Sequence, residues 1–366
     1  MSPPSRRLLL SLLPVLAVLP LGGLPSDAAG EDRRTAKPKS RVVKVMTRNI
    51  YLGGDIALPI GAPDKPTFEQ RNTHLYEQVR KTSIRRRAPL LAREIARTKP
   101  DLIGLQEAAL WRTGPKDDPA PATKVTYDNI RALRKALARR GLRYRLAAVQ
   151  QQANVEGPTT KYGDARLTQR DAILVRKREG LKVVRGGGRQ FKSRLSVPTP
   201  VGGVTSIRGY AYVDASIDGR RFRFVNTHLE SFTPQQRLEG ANELIAGPLR
   251  GNRPTIVVGD LNSDPRGDPP GEGDPAAYRR LIRSGMRDAW KKANPGKLGY
   301  ACCLKNPDLS DKPPFPADRR IDHILIRGGI RSRKAVRVGL NRSNRTPSGL
   351  WPSDHGGVVA TLQIPR

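Results

Sequence analysis

The chain has only two cysteines among 366 residues, and they are neighbours, Cys302 and Cys303. Adjacent thiols cannot staple a loop, so no disulfide framework holds this protein together. The pair can bond to each other, bond between chains or stay reduced. With no other Cys or His nearby at ligand spacing, a zinc site is disfavoured. Histidines number four and aromatic residues make up 5%. The polar insertions offer no exposed apolar hairpin of the kind a membrane-acting enzyme presents. Acidic residues are half as many as basic ones, 33 against 67. There is no His-Glu-x-x-His, no Gly-x-Ser-x-Gly and no Walker Gly-Lys-Ser/Thr, which removes the commonest zinc-protease, serine-hydrolase and nucleotide-loop chemistries. No repeat of 20–50 residues is visible.

What remains is strongly basic. The net charge of +34 attracts polyanions in general: DNA, RNA, anionic headgroups or acidic glycans. The competing explanation is compositional bias, with scattered Arg as solvated surface. Hydrophobic content is 37% and mean hydropathy −0.54, but the apolar residues fall in runs, so an ordinary core is available. Residues 1–28 read as an export signal: Arg6-Arg7, an apolar stretch from Leu8 to Leu24, and small residues before a cleavage point after Ala28. Pro14 and Pro20 make that stretch weak as a membrane span. Residues 29–40 read as a flexible leader, and 41–366 as one catalytic domain. The expected product is a secreted monomer without a stable membrane anchor.

Apolar periodicity predicts strands at Val42–Arg48, Asp101–Leu105, Tyr144–Gln150, Ala172–Arg176, Tyr210–Ile217, Arg221–Asn226, Thr255–Val258, Ile321–Ile326, Ala335–Val338 and Gly357–Leu362. Helices are predicted over Arg71–Thr98, divided at Pro89, and over Asn129–Arg139, Pro234–Ile245 (capped by Thr233) and Ala276–Ser284. Asp218-Gly219 reads as a hairpin turn. Trp111–Lys124, Gly186–Val204, Asp264–Asp274 and Pro307–Asp318 read as loops that rim a site. The pattern implies an α/β protein with two packed, mostly antiparallel sheets and helices outside.

Polar motifs sit at the ends of these strands. Asn226 and His228 lie two apart and share one side of their strand, as do Asp260 and Asn262. A carboxylate beside an amide at a strand end can orient a water and hold a phosphate oxygen; an Asx-rich turn is the structural alternative. Glu107, after Ile103-Gly104-Leu105-Gln106, is either a surface residue or a hard oxygen ligand for Mg²⁺. Asp322 and Asp354-His355 suggest an Asp–His pair in which a carboxylate fixes the imidazole tautomer and keeps it charged. His74 and His323 read as structural.

Taken in order, Thr47-Arg48-Asn49, Leu105-Gln106-Glu107, Asn226-Thr227-His228-Leu229, Gly259-Asp260-Leu261-Asn262, Arg320-Ile321-Asp322-His323 and Ser353-Asp354-His355 resemble the endonuclease/exonuclease/phosphatase superfamily, over about residues 42–364. That superfamily includes deoxyribonuclease I, exonuclease III, inositol polyphosphate 5-phosphatases and bacterial neutral sphingomyelinases. The resemblance implies a four-layer α/β sandwich and Mg²⁺-dependent phosphoester hydrolysis, with Mn²⁺ or Ca²⁺ as other candidate ions. By motif, Asn49, Glu107 and Asp354 would hold the metal. Asp260 would orient or deprotonate the attacking water, and Asn262 would hold the phosphate. His355, supported by Asp322, would stabilise or protonate the phosphoryl oxygens, and His228 would contact the phosphate from the other side. Arg170 and Asn226 are expected as further phosphate contacts. The implied substrate is a phosphodiester, with nucleic acid first on charge, then phospholipid or small phosphate esters. An inactive basic polyanion-binding protein on the same scaffold is the competing class.

Overall fold

The computed structural model describes residues 41–267 and 274–366. The expected signal (1–28) and leader (29–40), and the middle of the Asp264–Asp274 loop, lie outside the described residues. In chain order the elements are β1 (Val42–Asn49), α1 (Ala57–Ile60), α2 (Lys65–Lys81), α3 (Ile84–Thr98), β2 (Leu102–Gln106), β3 (Leu110–Gly114), β4 (Lys124–Asp128), α4 (Asn129–Ala138), β5 (Tyr144–Pro158), β6 (Asp164–Arg176), β7 (Leu181–Gln190), β8 (Leu195–Thr199), β9 (Gly202–Ser206), β10 (Gly209–Ile217), β11 (Arg220–His228), α5 (Pro234–Ala246), β12 (Thr255–Asp260), α6 (Ala276–Arg283), β13 (Arg287–Asp288), α7 (Ala289–Ala293), β14 (Asp322–Arg327), β15 (Arg331–Val338) and β16 (Gly357–Gln363).

Two sheets pack face to face. One has the order β15-β16-β1-β2-β6-β3-β4, with β5 also paired to β6; the other runs β13-β14-β12-β11-β10-β7. At the centre of each sheet lies one parallel pair, β1 with β2 and β11 with β12, while the neighbouring pairs are antiparallel. Alternation explains the layering: residues on opposite faces of one strand enter different cores. Val43, Val45, Leu102, Ile173, Phe224, Ile256, Val258, Ile324 and Leu362 fill the space between the sheets. Met46, Ile103 and Leu105 point outward against Leu91 and Ile95 of α3 and Leu133 and Leu137 of α4. On the opposite flank Val225, Val257 and Leu325 meet Leu244 of α5 and Leu281 of α6. The result is the four-layer α/β sandwich that the resemblance implied.

Three details differ from the sequence reading. The long helical stretch breaks at Thr82-Ser83, where Ser83 caps the next helix through Arg85 N–H, and Pro89 sits inside α3. A proline near a helix start forfeits one intrahelical hydrogen bond. The expected loop Gly186–Val204 is mostly strand, in β7, β8 and β9. Gly186, Gly187 and Gly188 read as loop residues, but two of them permit a close approach: a Cβ would lie 2.9 Å from the Ala147 carbonyl oxygen at Gly186 and 2.5 Å from that of Val149 at Gly188. Strand β3 occupies the start of the expected loop Trp111–Lys124. Asp218 and Gly219 do form a two-residue turn between β10 and β11, both with positive φ. No helix among the described residues is long and apolar enough to cross a membrane.

Candidate functional site

The registers bring distant motifs to one edge of the sandwich. Asn49 ends β1 opposite Gln106 at the end of β2, so Glu107 follows at the same edge. His228 ends β11 opposite Asp260 at the end of β12, and Asp260 in turn pairs with Asp322 at the start of β14. Asp354 and His355 enter just before β16, the antiparallel partner of β1. Parallel pairing at both sheet centres thus places strand C-termini side by side, which is where α/β sheets carry their ligands.

A polar brace between the sheets fixes this edge. Gly104 leaves room for Asn226: a Cβ there would lie 2.4 Å from Asn226 Oδ1. The Asn226 amide donates to the carbonyls of Leu105 (2.9 Å) and Ala172 (3.2 Å) and accepts from Gln106 Nε2 (2.6 Å). This corrects one expectation, because Asn226 is fully buried with its amide committed, and it braces the site from behind. Arg170 is also engaged elsewhere, on the carbonyls of Ala108 and Ala109 and on Asp128 at 2.8 Å. It anchors the segment after Glu107 and does not face the cleft.

The remaining candidates border or back a cleft of about 380 Å³ lined by Tyr51, Glu107, His228, Asp260, Asn262, Asp354 and His355. Asn49 Nδ2 donates to Glu107 Oε1 (3.0 Å) and Asp260 Oδ2 (3.2 Å), so one amide orients both carboxylates. As placed it turns its NH₂ toward them, while its Oδ1 accepts from Tyr51 N–H. Glu107 Oε2 also accepts from Leu52 N–H at 2.8 Å. Burial, with the Asp354 charge adding to it, pushes the Glu107 carboxyl up to about 7. Asp260 Oδ1 accepts from Asn262 N–H at 3.0 Å, while Asn262 Nδ2 donates to Leu229 O. Burial, reinforced by Asp322, raises Asp260 to about 6 against the opposing pull of His355.

The two histidines flank Asp260. His228 Nε2 lies 3.7 Å and His355 Nε2 3.8 Å from Asp260 Oδ2. Their charge states diverge. His355 Nδ1 meets Asp322 Oδ2 at 2.8 Å. Burial alone would lower His355, but Asp322, Asp354 and Asp260 outweigh it and hold the imidazole well above its ordinary value. His228 is driven well below by burial and by the positive charges of Arg208 and His355. One ring is therefore a cation and the other neutral at the same carboxylate. His74 is exposed on α2. His323 points away, into a contact with Ser263 O and the Tyr278 ring.

Three residues of the site loops, Tyr51, Glu107 and Asn262, have φ of 59°, 55° and 47°. Left-handed backbone at non-glycine residues costs of order 1–3 kcal/mol each and persists where surrounding contacts enforce it. Around Tyr51 those contacts come from two buried arginines to which the sequence reading gave no role. Buried Arg48 pairs with Glu94 and donates to the carbonyls of Asn49 and His355. Buried Arg87 donates to the carbonyls of Ile50, Tyr51 and Pro352. Gln169, Arg208, Cys303 and Phe232 also line the cleft. Arg87, Gln169, Arg208 and Phe232 lie outside every motif quoted from the sequence, Arg48 stands inside Thr47-Arg48-Asn49 without an assigned role, and Cys303 drew notice only for its neighbour Cys302. Cys302 and Cys303 are bonded to each other, and Cys302 Sγ lies 3.4 Å from His355 Nε2.

The donor set suits a hard divalent cation. None of the ion pairs of Glu107, Asp260, Asp322 or Asp354 among the described residues is with a Lys or Arg. Two of these buried carboxyls, Glu107 and Asp260, are held above their ordinary range, chiefly by burial, and a divalent cation bound beside them would relieve that cost. Asp260, Asp322 and His355 place ligand atoms within 4.8 Å of one another; Asp322 gives Oδ2 to His355 and leaves Oδ1 without a hydrogen-bond partner, while Glu107 and Asp260 are the carboxyls that border the cleft.

A family model described as "Endonuclease/Exonuclease/phosphatase family" matches residues 75–355. Among solved structures, the chain is similar to an endonuclease/exonuclease/phosphatase family protein from Bacteroides thetaiotaomicron (TM-score 0.53, 16% identity, covering 89% of this chain and 98% of that one). It is also similar to one from Leptotrichia buccalis (0.54, 16%, 87% and 99%). A mannosyl-6-phosphatase from Bacteroides thetaiotaomicron scores 0.51 at 17% identity, covering 87% and 99%. At these identities the likeness shows a shared fold. No curated protein sequence matches the chain.

Proposed function

The chain belongs to the endonuclease/exonuclease/phosphatase family, whose members are phosphoester hydrolases, and on that premise we propose that it is an exported, divalent-metal-dependent phosphodiesterase acting on nucleic acid. The observation that carries this reading is the convergence of Glu107, Asp260, His228 and His355 on one cleft, with the Asp322–His355 pair behind it. Export rests on the character of residues 1–28, and nucleic acid on the net charge of +34, which concentrates polyanions at the surface.

Glu107 would hold the metal, with Asp354 close by and Asp260 bordering the same cleft; Mg²⁺ fits the all-oxygen donors, and Mn²⁺ or Ca²⁺ would share them. When bound, the ion would supply Lewis-acid charge to the phosphoryl group. The protein's own part follows from the geometry. Asp260, raised to about 6, is ionised at neutral pH yet basic enough to take a proton from the attacking water. Asn49 and Asn262 hold its two oxygens in place. As water attacks phosphorus and the ester P–O bond breaks, charge grows on the phosphoryl oxygens. The His355 imidazolium, kept charged by Asp322, offers Nε2–H to that charge, and neutral His228 offers a hydrogen bond from the opposite side. Fixed donors of this kind lower the barrier because they need no reorganisation during the reaction.

The test is incubation of purified protein with plasmid DNA, RNA and sphingomyelin vesicles, with Mg²⁺ and then with EDTA. The reading expects nucleic acid cleavage in Mg²⁺ that stops in EDTA, and loss of several orders of magnitude in the Asp260→Ala and His355→Ala variants with the fold intact. Binding that shifts DNA without cleavage under any metal would contradict it in favour of an inactive binder. Cleavage of sphingomyelin alone would move the substrate to phospholipid.

A further inference from the structure

A second concavity opens beside the cleft and shares a wall with it. Its sides are Phe68 and Leu75 of α2 with Val155 and Leu167 of β5 and β6, and Gln169, Arg208 and Phe232 border both spaces. We propose that this groove receives an unstacked nucleobase next to the scissile phosphate, so that the protein acts on single-stranded nucleic acid. The inference rests on the phosphodiesterase reading of the adjoining cleft.

Two side chains argue for a base over an aliphatic group. Phe232, on the segment after β11, leaves 49% of its surface exposed at the junction. Its ring offers a π-face of the kind on which bases stack without sequence preference. Gln169 is 5% exposed, yet its carboxamide makes no hydrogen bond among the described residues. An acyl or alkyl chain would seal this buried amide away from water unpaired, which is unfavourable. A base edge supplies both a donor and an acceptor to it. A base paired and stacked in a duplex cannot enter such a slot, whereas a single strand turns its bases out at little cost. Arg208 completes the arrangement: it lines both spaces, is held by Glu230 at 3.3 Å, and leaves Nη1 without a partner. That guanidinium separates the apolar slot from the phosphate side.

The test separates the groove from the chemistry. Binding is measured in EDTA at fixed salt, by fluorescence anisotropy of a labelled single-stranded oligonucleotide and of the same sequence as a duplex. Wild type is compared with Ala153→Trp, which fills the groove from a partly exposed position on β5, after both are shown to melt alike. Single-strand affinity should fall about tenfold, within the roughly five- to hundredfold that one stacked base supplies, and duplex affinity should not change. Hydrolysis of methyl p-nitrophenyl phosphate, which has no base to place, should be the same in both. Equal single-strand affinity in wild type and Ala153→Trp overturns the proposal. So does a result in which Ala153→Trp slows hexyl p-nitrophenyl phosphate but not the oligonucleotide, since the occupant is then an aliphatic chain. If wild type hydrolyses no phosphodiester with any divalent ion, the reading of the cleft fails, and the binding arm still reports on the groove separately.

Discussion

Glu107→Gln should make the metal-free protein more stable at alkaline pH while removing its response to metal. Glu107 rises from 4.5 to about 7 in the folded chain, chiefly through burial and then through Asp354. A folded-state value above the unfolded one means that stability is fully present below the unfolded value and is lost as pH rises through the folded one. At about 1.4 kcal/mol per tenfold, an ionised Glu107 therefore costs the metal-free fold roughly 3 kcal/mol at pH 8. Gln carries no charge and so removes that cost. It keeps an acceptor for only one of the two N–H donors now satisfied, Asn49 Nδ2 and Leu52 N, giving back about 1 kcal/mol. The net gain is on the order of 2 kcal/mol, or a few degrees in Tm for a chain of this size. The assay is thermal melting in EDTA from pH 5 to 8.5, repeated in saturating Mg²⁺. Wild type should lose stability from pH 5 to about 7 and then level off, and the variant should lose less. Mg²⁺ should raise the wild-type Tm at pH 8 and leave the variant nearly unmoved, because a ligand stabilises only the state that binds it. A variant that melts below wild type at pH 8 in EDTA, or that gains as much from Mg²⁺, refutes the reasoning.

Asp322→Asn should lower the value at which His355 loses its proton, because Asp322 is the largest of the charges that raise it. The alkaline limb of the pH–rate profile should then move to lower pH, with turnover at pH 8 falling more than at pH 6; an unmoved limb counts against His355 as the charged donor. Asn226→Ala should cost roughly 1–3 kcal/mol in urea unfolding, since it strands the Gln106 amide and the carbonyls of Leu105 and Ala172 inside the sandwich. A neutral effect would remove the brace from the account. Binding of DNA should weaken steeply between about 50 and 200 mM salt; a flat response would point to a small uncharged or singly charged ester.

Legibility in the sequence followed the length scale of each interaction. Asp260 and Asn262, or Asp354 and His355, lie within a few residues of one another at the end of an apolar run, so local pattern alone put them at a sheet edge. The fold class was legible for the same reason: Val42–Asn49, Leu102–Gln106 and Thr255–Asp260 are short runs bounded by polar residues. Long-range partners were not. Arg48 finds Glu94 and the His355 carbonyl across the fold, and its motif, Thr47-Arg48-Asn49, marks its place in the chain but not these partners. Asn226 looked like a phosphate contact because it shares a strand face with His228, and only the packing of Gly104 against it shows that this face is closed at that depth. Gly186–Gly188 carried a loop signal because glycine is read by its freedom, whereas here its small size lets β7 pass the backbone of β5.

The most direct check on the account is to soak crystals with Mn²⁺ and locate the ion by its anomalous scattering. The account predicts one dominant site against the Glu107 carboxylate, within reach of Asp260, and its loss in Glu107→Gln. An ion that settles instead on Cys302, Cys303 and His355, or a cleft that stays empty at millimolar Mn²⁺ while the protein hydrolyses phosphodiesters, would contradict it.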